Sequence, residues 1–239
     1  MNNIKKIVAF IPARSGSKGI PNKNIKLYKS EPLIAHSIKL AKKNDYIQEV
    51  YVSTDSPQYK EIAIKYGANV PFLRPKEISD DLSPDIDCFK HFLEWYFKEY
   101  HFYPDILIHL RPTYPNRTTK LLNDCISTFI DNYNDYDSLR TVIPIDKTPV
   151  KMYFIEDKKL IPYFPNFNAI VEPYNQARQL FAQSYLHNGC IDIIKTSTII
   201  NDNLLSGKNI YPYIMDKDED CDIDTEADLI HSQNKIINL

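Results

Sequence analysis

Two groups of residues in this chain have the types and spacing for chemistry. The first is the run Ile7–Asn24, IVAFIPARSGSKGIPNKN, in which an apolar stretch breaks into a loop that is small and cationic at once. Ala13, Ser15, Gly16, Ser17 and Gly19 let backbone N–H groups close on a ligand, and Arg14, Lys18 and Lys23 bring charge to neutralise it. Such a loop at the carboxyl end of a first strand suits a polyphosphate. Its spacing is neither the P-loop pattern nor G-x-G-x-x-G, so composition alone leaves an ordinary basic surface turn equally open. The second group is Asp216–Asp228, DKDEDCDIDTEAD. Asp222 and Asp224, two apart on an extended segment, present their carboxylates on one side. Magnesium is commonly held by one or two carboxylates plus substrate phosphates. An acidic dyad without metal would repel a polyphosphate, so a basic loop and an acidic pair in one chain make sense with a divalent cation between them. The plain alternative for the dyad is a solvated acidic turn that caps the last helix.

The elements that must position these groups alternate. Ile4–Ile11 reads as a strand, and Leu33, Ile34, Ile38 and Ala41 recur at helical spacing. Glu49–Thr54 is a second strand ending in Asp55, followed by a helix marked by Tyr59, Ile62, Ala63 and Tyr66 and stopped by Gly67. Asn69–Leu73 reads as a third strand. An aromatic helix follows through Ile86, Phe89, Leu93, Tyr96 and Phe97, then a strand Asp105–Leu110 running into Arg-Pro-Thr-Tyr-Pro. Leu121, Leu122, Cys125, Phe129 and Ile130 give a fourth helix and Leu139–Ile145 a fifth strand. This alternation predicts an α/β fold with a mostly parallel sheet covered on both faces. Ligands on such sheets bind outside the carboxyl ends of the strands. Those ends carry Arg14, Asp55, Arg74 and Arg111, three cations of four, which suits an anionic ligand.

After Ile145 the rhythm changes. Met152–Ile155 and Leu160–Phe164 flank Glu156–Lys159 as a hairpin, and the stretch to Ala182 is rich in Pro, Asn and aromatics without clear periodicity. The segment 146–182 therefore reads as an insertion, a lid or dimerisation arm, within one domain spanning 1–239. Seventeen tyrosines make exposed aromatics expected and favour an interface. The alternation resumes with strands Cys190–Lys195 and Ile210–Met215, a short helix between them, and a last helix from about Thr225.

Composition bounds the partners. A formal net charge of −2 gives no bulk electrostatic case for nucleic acid or an anionic membrane. The first apolar run stops at Pro12 and Arg14, too short for a secretory segment or a bilayer span. Cys88, Cys125, Cys190 and Cys221 form no C-x-x-C pair, which argues against zinc or a dense disulfide framework and for free thiols in a reducing cytoplasm.

Taken in order, IPARSGSKGIPNKN, VSTD at 52–55, LRP at 73–75, LRPTYPNR at 110–117, HNG at 187–189 and DIDT at 222–225 resemble the acylneuraminate cytidylyltransferases, the CMP-sialic acid synthetases with relatives acting on Kdo, pseudaminic and legionaminic acids. The resemblance runs from Ile7 to the last helix. It implies a Rossmann-like nucleotidyltransferase fold with an inserted β-hairpin dimerisation arm, and a homodimer. It implies transfer of CMP from CTP to the anomeric hydroxyl of a sialic-like acidic sugar, legionaminic acid among the candidates, with release of pyrophosphate and Mg2+ as cofactor. Ala13, Arg14, Lys18 and Asn24 then fall in the triphosphate loop, Arg74 contacts the nucleotide, and Ser83 and Asp85 fall in the base-reading loop. Asp222 and Asp224 inherit the metal, and with Arg14 and Lys18 form the catalytic set. Lys151, Arg178 and Asn188 fall near the sugar.

Three positions depart from the pattern. Arg111 stands where Gln precedes Pro-Thr, Asp192 where NGAIYI has Tyr, and Asp85 where Ser is common. Arg111 and Asp192 would sit near the sugar, either reading a charged or amino-bearing group or pairing with each other. Asp85 as a partner for the guanine edge, with Arg111 on a sugar-1-phosphate, is the alternative of a GTP-dependent nucleotidyltransferase. A metal-dependent glycosyltransferase and a non-catalytic nucleotide sensor are more distant alternatives.

Overall fold

The computed structural model describes residues 5–17 and 19–234. Lys18 and Ile4, both part of the expectations above, lie outside the described residues. The chain divides into two compact units: residues 1–141, 189–213 and 221–239 form the first, and 142–188 with 214–220 the second.

A six-stranded sheet comprises β1 (Ile7–Pro12), β2 (Glu49–Ser53), β3 (Ile106–His109), β4 (Ser138–Ile145), β5 (Ser184–Lys195) and β6 (Ile210–Ile214), in the order β6-β4-β5-β3-β1-β2; it belongs mainly to the first unit, with 142–145, 184–188 and Ile214 counted in the second. β1 runs parallel to both β2 and β3, while β5 is antiparallel to β3. Within β1, Ile7–Ile11 is apolar without a break and buried, as a central parallel strand covered on both faces must be. Around the sheet lie α1 (Leu33–Lys42), α2 (Pro57–Lys65), α3 (Asp85–Tyr100), α4 (Thr119–Asp131), α5 (Thr196–Asp202) and α6 (Glu226–Asn234).

Local chemistry accounts for several boundaries. The Ser56 hydroxyl accepts from Tyr59 N–H and Pro57 opens α2, while Gly67, at φ +93°, takes the chain out beyond its end. Thr118 caps α4 through Leu121 N–H. Asp85 and Asp87 occupy the first turn of α3, where the helix dipole favours carboxylates. The aromatic face of α3 packs Phe89, Phe92 and Tyr96 against Val8, Phe10, Tyr51 and Leu107, with Phe10 and Phe92 stacked at 4.7 Å between ring centroids. That core holds the strands whose carboxyl ends carry the site.

Two expectations change. Asn69–Leu73 is not a strand: its pairing is a single bridge between Tyr51 and Asn69, because Pro71 has no N–H to continue the ladder. β5 begins at Ser184 rather than Cys190, its first half carrying exposed Tyr185 and Leu186 that break the buried-strand pattern. In the second unit the expected hairpin is present, Tyr153–Glu156 pairing antiparallel with Lys159–Pro162. Its two-residue turn, Asp157 and Lys158, has both residues at positive φ, the turn that matches strand twist. No described helix is long and apolar enough to cross a membrane.

Candidate active site

A cavity of about 480 Å³ opens in the first unit, at the carboxyl ends of β1 and β3. Arg14, Lys23, Asn24, Arg74, Asp85, Arg111 and Asp224 line it, together with Ser17, Gly19, His109 and Thr113. Residues from opposite ends of the sequence therefore share one wall.

The loop after β1 is held by its own polar atoms. Ala13 N–H donates to Ser53 O at 2.9 Å. Ser15 gives its N–H and hydroxyl to the two oxygens of Asp55, at 2.8 and 2.7 Å. Buried Asn24 donates to Arg14 O at 3.0 Å. The Arg14 guanidinium, a third exposed, pairs with Asp81 at 2.8 Å. Arg74 is buried, and its Nε and Nη2 donate to Ser53 Oγ and Ser53 O at 3.0 and 2.6 Å, which fixes its charge beside the loop. The turn leading into α3 is closed by the Ser83 hydroxyl donating to Asp80 at 2.9 Å, and Asp85 begins the helix at the cavity edge.

The acidic segment meets this loop. Cys221 and Ile223 are buried while Asp222 and Asp224 face outward, so the two carboxylates share one side as their spacing predicts. Ile223 sits among Ile20, Tyr28, Leu33 and Leu229. Its N–H donates to Thr113 O at 2.9 Å, and Cys221 N–H to Tyr114 Oη at 2.9 Å. Lys23 pairs with Asp224 at 2.8 Å. Gly19 explains how close the two segments come: a Cβ there would lie 2.6 Å from Asp224 O. The Asp222 carboxyl is pushed above the usual carboxylate range by desolvation, with the neighbouring Asp224 charge adding to it against Thr113, Lys23 and Arg111. As carboxylate oxygen donors, Asp222 and Asp224 are the residues here that could hold a hard divalent cation.

Arg111 lines the cavity as well. Its Nη1 donates to Asp192 at 2.8 Å and to Gly189 O at 3.2 Å. The two departures from the family pattern therefore pair with each other. Arg117, wholly buried, donates to Cys190 O, to Tyr114 O at 2.7 Å, to Arg111 O at 2.8 Å and to Ser37 Oγ at 3.1 Å. It ties the Arg-Pro-Thr-Tyr-Pro turn to β5 and α1. Sequence reasoning singled out neither Arg117 nor Asp81; Arg117 appeared only as the last letter of a motif.

The three remaining residues that the resemblance places near the sugar, Lys151, Arg178 and Asn188, lie in the second unit. Lys151 closes a short helical turn and is exposed. Arg178 and Lys217 both face Asp146, each at 3.6 Å. Asn188 is buried, with its amide donating to Met215 Sδ at 3.4 Å.

A mostly parallel α/β sheet with a small cationic loop facing a carboxylate-bearing segment is an arrangement that suits a phosphate-bearing ligand. The cytidylyltransferase family model matches residues 8–94. Over 93% of its length the chain is 31% identical to the CMP-N,N'-diacetyllegionaminic acid synthase of Legionella pneumophila, of which it covers 93%. It is also 31% identical, over 93% of its length, to the N-acylneuraminate cytidylyltransferase of Escherichia coli O18:K1:H7, but spans only 50% of that protein. The fold matches a CMP:2-keto-3-deoxy-manno-octonic acid synthetase solved with CTP, at a TM-score of 0.67 and 17% identity, covering 95% of this chain and 97% of that one. The chain belongs to the acylneuraminate cytidylyltransferase family.

Proposed function

We propose that the chain transfers CMP from CTP to the anomeric hydroxyl of a nonulosonic acid and releases pyrophosphate. The observation that carries this is the joining, in one cavity, of Arg14 and Lys23 from the first loop with Asp224 from the acidic segment. The hydroxyl oxygen attacks the α-phosphorus, the bond to the β-phosphate oxygen breaks in line, and the hydroxyl proton is lost. Charge grows on the transferring and leaving groups. Fixed cations aimed there stabilise the transition state more than the ground state. Arg14, Lys18 and Lys23 hold the β- and γ-phosphates, with Ala13 and Asn24 shaping the loop. Arg74 stands by the nucleotide, and Ser83 and Asp85 by the base. Arg111 faces the acceptor; for Lys151, Arg178 and Asn188 the sugar-side role rests on the family resemblance. Asp222 and Asp224 would hold magnesium, which supplies charge to the phosphates and lowers the pKa of the attacking hydroxyl.

The second unit, 142–188 with 214–220, serves as the dimerisation arm of a homodimer. Ile155, Leu160 and Val171 are 76, 62 and 69% exposed there, apolar surface that a second copy of the chain would cover. The four cysteines are free and buried, in keeping with a cytoplasmic enzyme.

The test is magnesium-dependent pyrophosphate release, with CTP and GTP each offered N-acetylneuraminate, legionaminate, pseudaminate, Kdo and a few sugar-1-phosphates. Release with CTP and one sugar acid is expected. Release only with GTP or only with a sugar-1-phosphate would overturn the proposal.

A further inference from the structure

Arg111 and Asp192 pair in a way that assigns them different tasks. β3 and β5 lie antiparallel with His109 directly opposite Asp192. Asp192 is 2% exposed and His109 3%. One Asp192 oxygen accepts from Arg111 Nη1 at 2.8 Å and faces His109 Nδ1 at 3.6 Å; the other faces Arg140 Nε at 3.7 Å. A carboxylate this deep is tolerable only while its charge is answered, and two guanidinium groups answer it, with His109 beside them. Arg111 is held twice more. Its Nη1 also donates to Gly189 O, and its own carbonyl accepts from Arg117 Nη2 at 2.8 Å. Gly189, at φ +69°, makes room: a Cβ would stand 3.3 Å from Arg111 Nη1. With Nη1 committed to Asp192 and Gly189, Nη2 holds only a loose ion pair, 3.9 Å from the largely exposed carboxylate of Asp85, which also lines the cavity.

Building on the CMP transfer proposed above, we infer that Arg111 is the residue that reads the acidic group of the sugar acceptor, and that Asp192 is a positioning residue that meets no substrate. Asp192 locks one edge of the guanidinium so that the other reaches the acceptor already oriented. A long, rotamer-rich side chain fixed beforehand loses less entropy on binding. A lysine in its place would keep the charge and lose the fork, so it could not be both anchored and presented.

Steady-state kinetics on the full chain separate these tasks. Arg111→Lys is expected to raise KM for the sugar acid about tenfold or more, while KM for CTP stays within roughly twofold. Asp192→Asn, without touching substrate, is expected to reproduce about a threefold part of that rise, and the double variant to be no worse than Arg111→Lys alone. Asp192→Asn kinetics equal to the parent's, an equal rise in KM for CTP, or effects that multiply would each overturn the inference. Nitrogen-15 NMR of the Arg111 guanidinium, assigned by its loss in Arg111→Lys, needs neither turnover nor a stable Asp192 variant. Hindered rotation is expected in the parent protein, and free rotation overturns the lock even where CMP transfer is found. Hindered rotation in a protein that transfers CMP to no sugar acid supports the lock and overturns the proposed function instead.

Discussion

The two sides of the cavity are built differently. On the loop side the ion pairs keep at least one partner in water: Arg14 with Asp81, each about a third exposed, and a mostly buried Lys23 with an Asp224 whose side chain is 71% exposed. On the floor, Asp192 and Arg117 are buried, and each answers several partners. Exposed pairs are worth about 0–1 kcal/mol and exchange readily, so arriving phosphates can take over the cations at little cost. Buried charges cannot be stripped of a partner without a penalty of several kcal/mol, so the floor keeps its shape as ligands come and go. The loop side is therefore a place of exchange and the floor a place of fixed geometry.

Substitutions can break this contrast. The largest effect is expected at Asp224→Asn, a fall in kcat of roughly 10²–10³ by analogy with losing a transition-state charge partner, with a melting temperature close to the parent's. A large loss of stability would show that the loop side is structural as well. Next comes Arg117→Met, which removes a charge-assisted donor from three buried carbonyls and a hydroxyl. Denaturant titration should show about 3 kcal/mol lost, and an unchanged midpoint would refute the rigid floor. Gly19→Ala puts a methyl against the Asp224 carbonyl and should lower kcat/KM for CTP about tenfold by parting the two segments.

Asp81→Asn frees the Arg14 guanidinium of its competing carboxylate. It should tighten CTP or pyrophosphate about threefold in a calorimeter, in line with the modest worth of an exposed pair. The smallest effect belongs to Asp137, far from either wall. The N–H groups of Asn209 and Lys208 hold its carboxyl below the usual range. A depressed pKa contributes stability above the ordinary value of about 3.9 that is lost as pH falls through the folded one. Asp137→Asn should therefore melt slightly below the parent at neutral pH and converge with it in acid. A constant difference across that window would assign the effect to something other than this charge.

Much of this was legible in the residues. β1 and its loop announce themselves because an unbroken apolar run into a Gly-Ser-Lys stretch is local chemistry. The outward pair Asp222–Asp224 follows from alternation about buried Ile223. What was hidden depends on distant partners. No local pattern says that Arg117 will be buried on the backbone of Cys190, or that Gly19 is small because Asp224 O passes beside it. Asn69–Leu73 looked like a strand by composition, and the missing N–H of Pro71 outweighed it. The first half of β5 went unread because Tyr185 and Leu186 stay exposed, so burial never marked the strand.

The most direct test of CMP transfer is phosphorus-31 NMR of the full chain with CTP, magnesium and a nonulosonic acid. One new phosphodiester resonance should rise in step with pyrophosphate, neither appearing without the sugar acid. Release of CDP and inorganic phosphate, or pyrophosphate formed without the sugar, would contradict it.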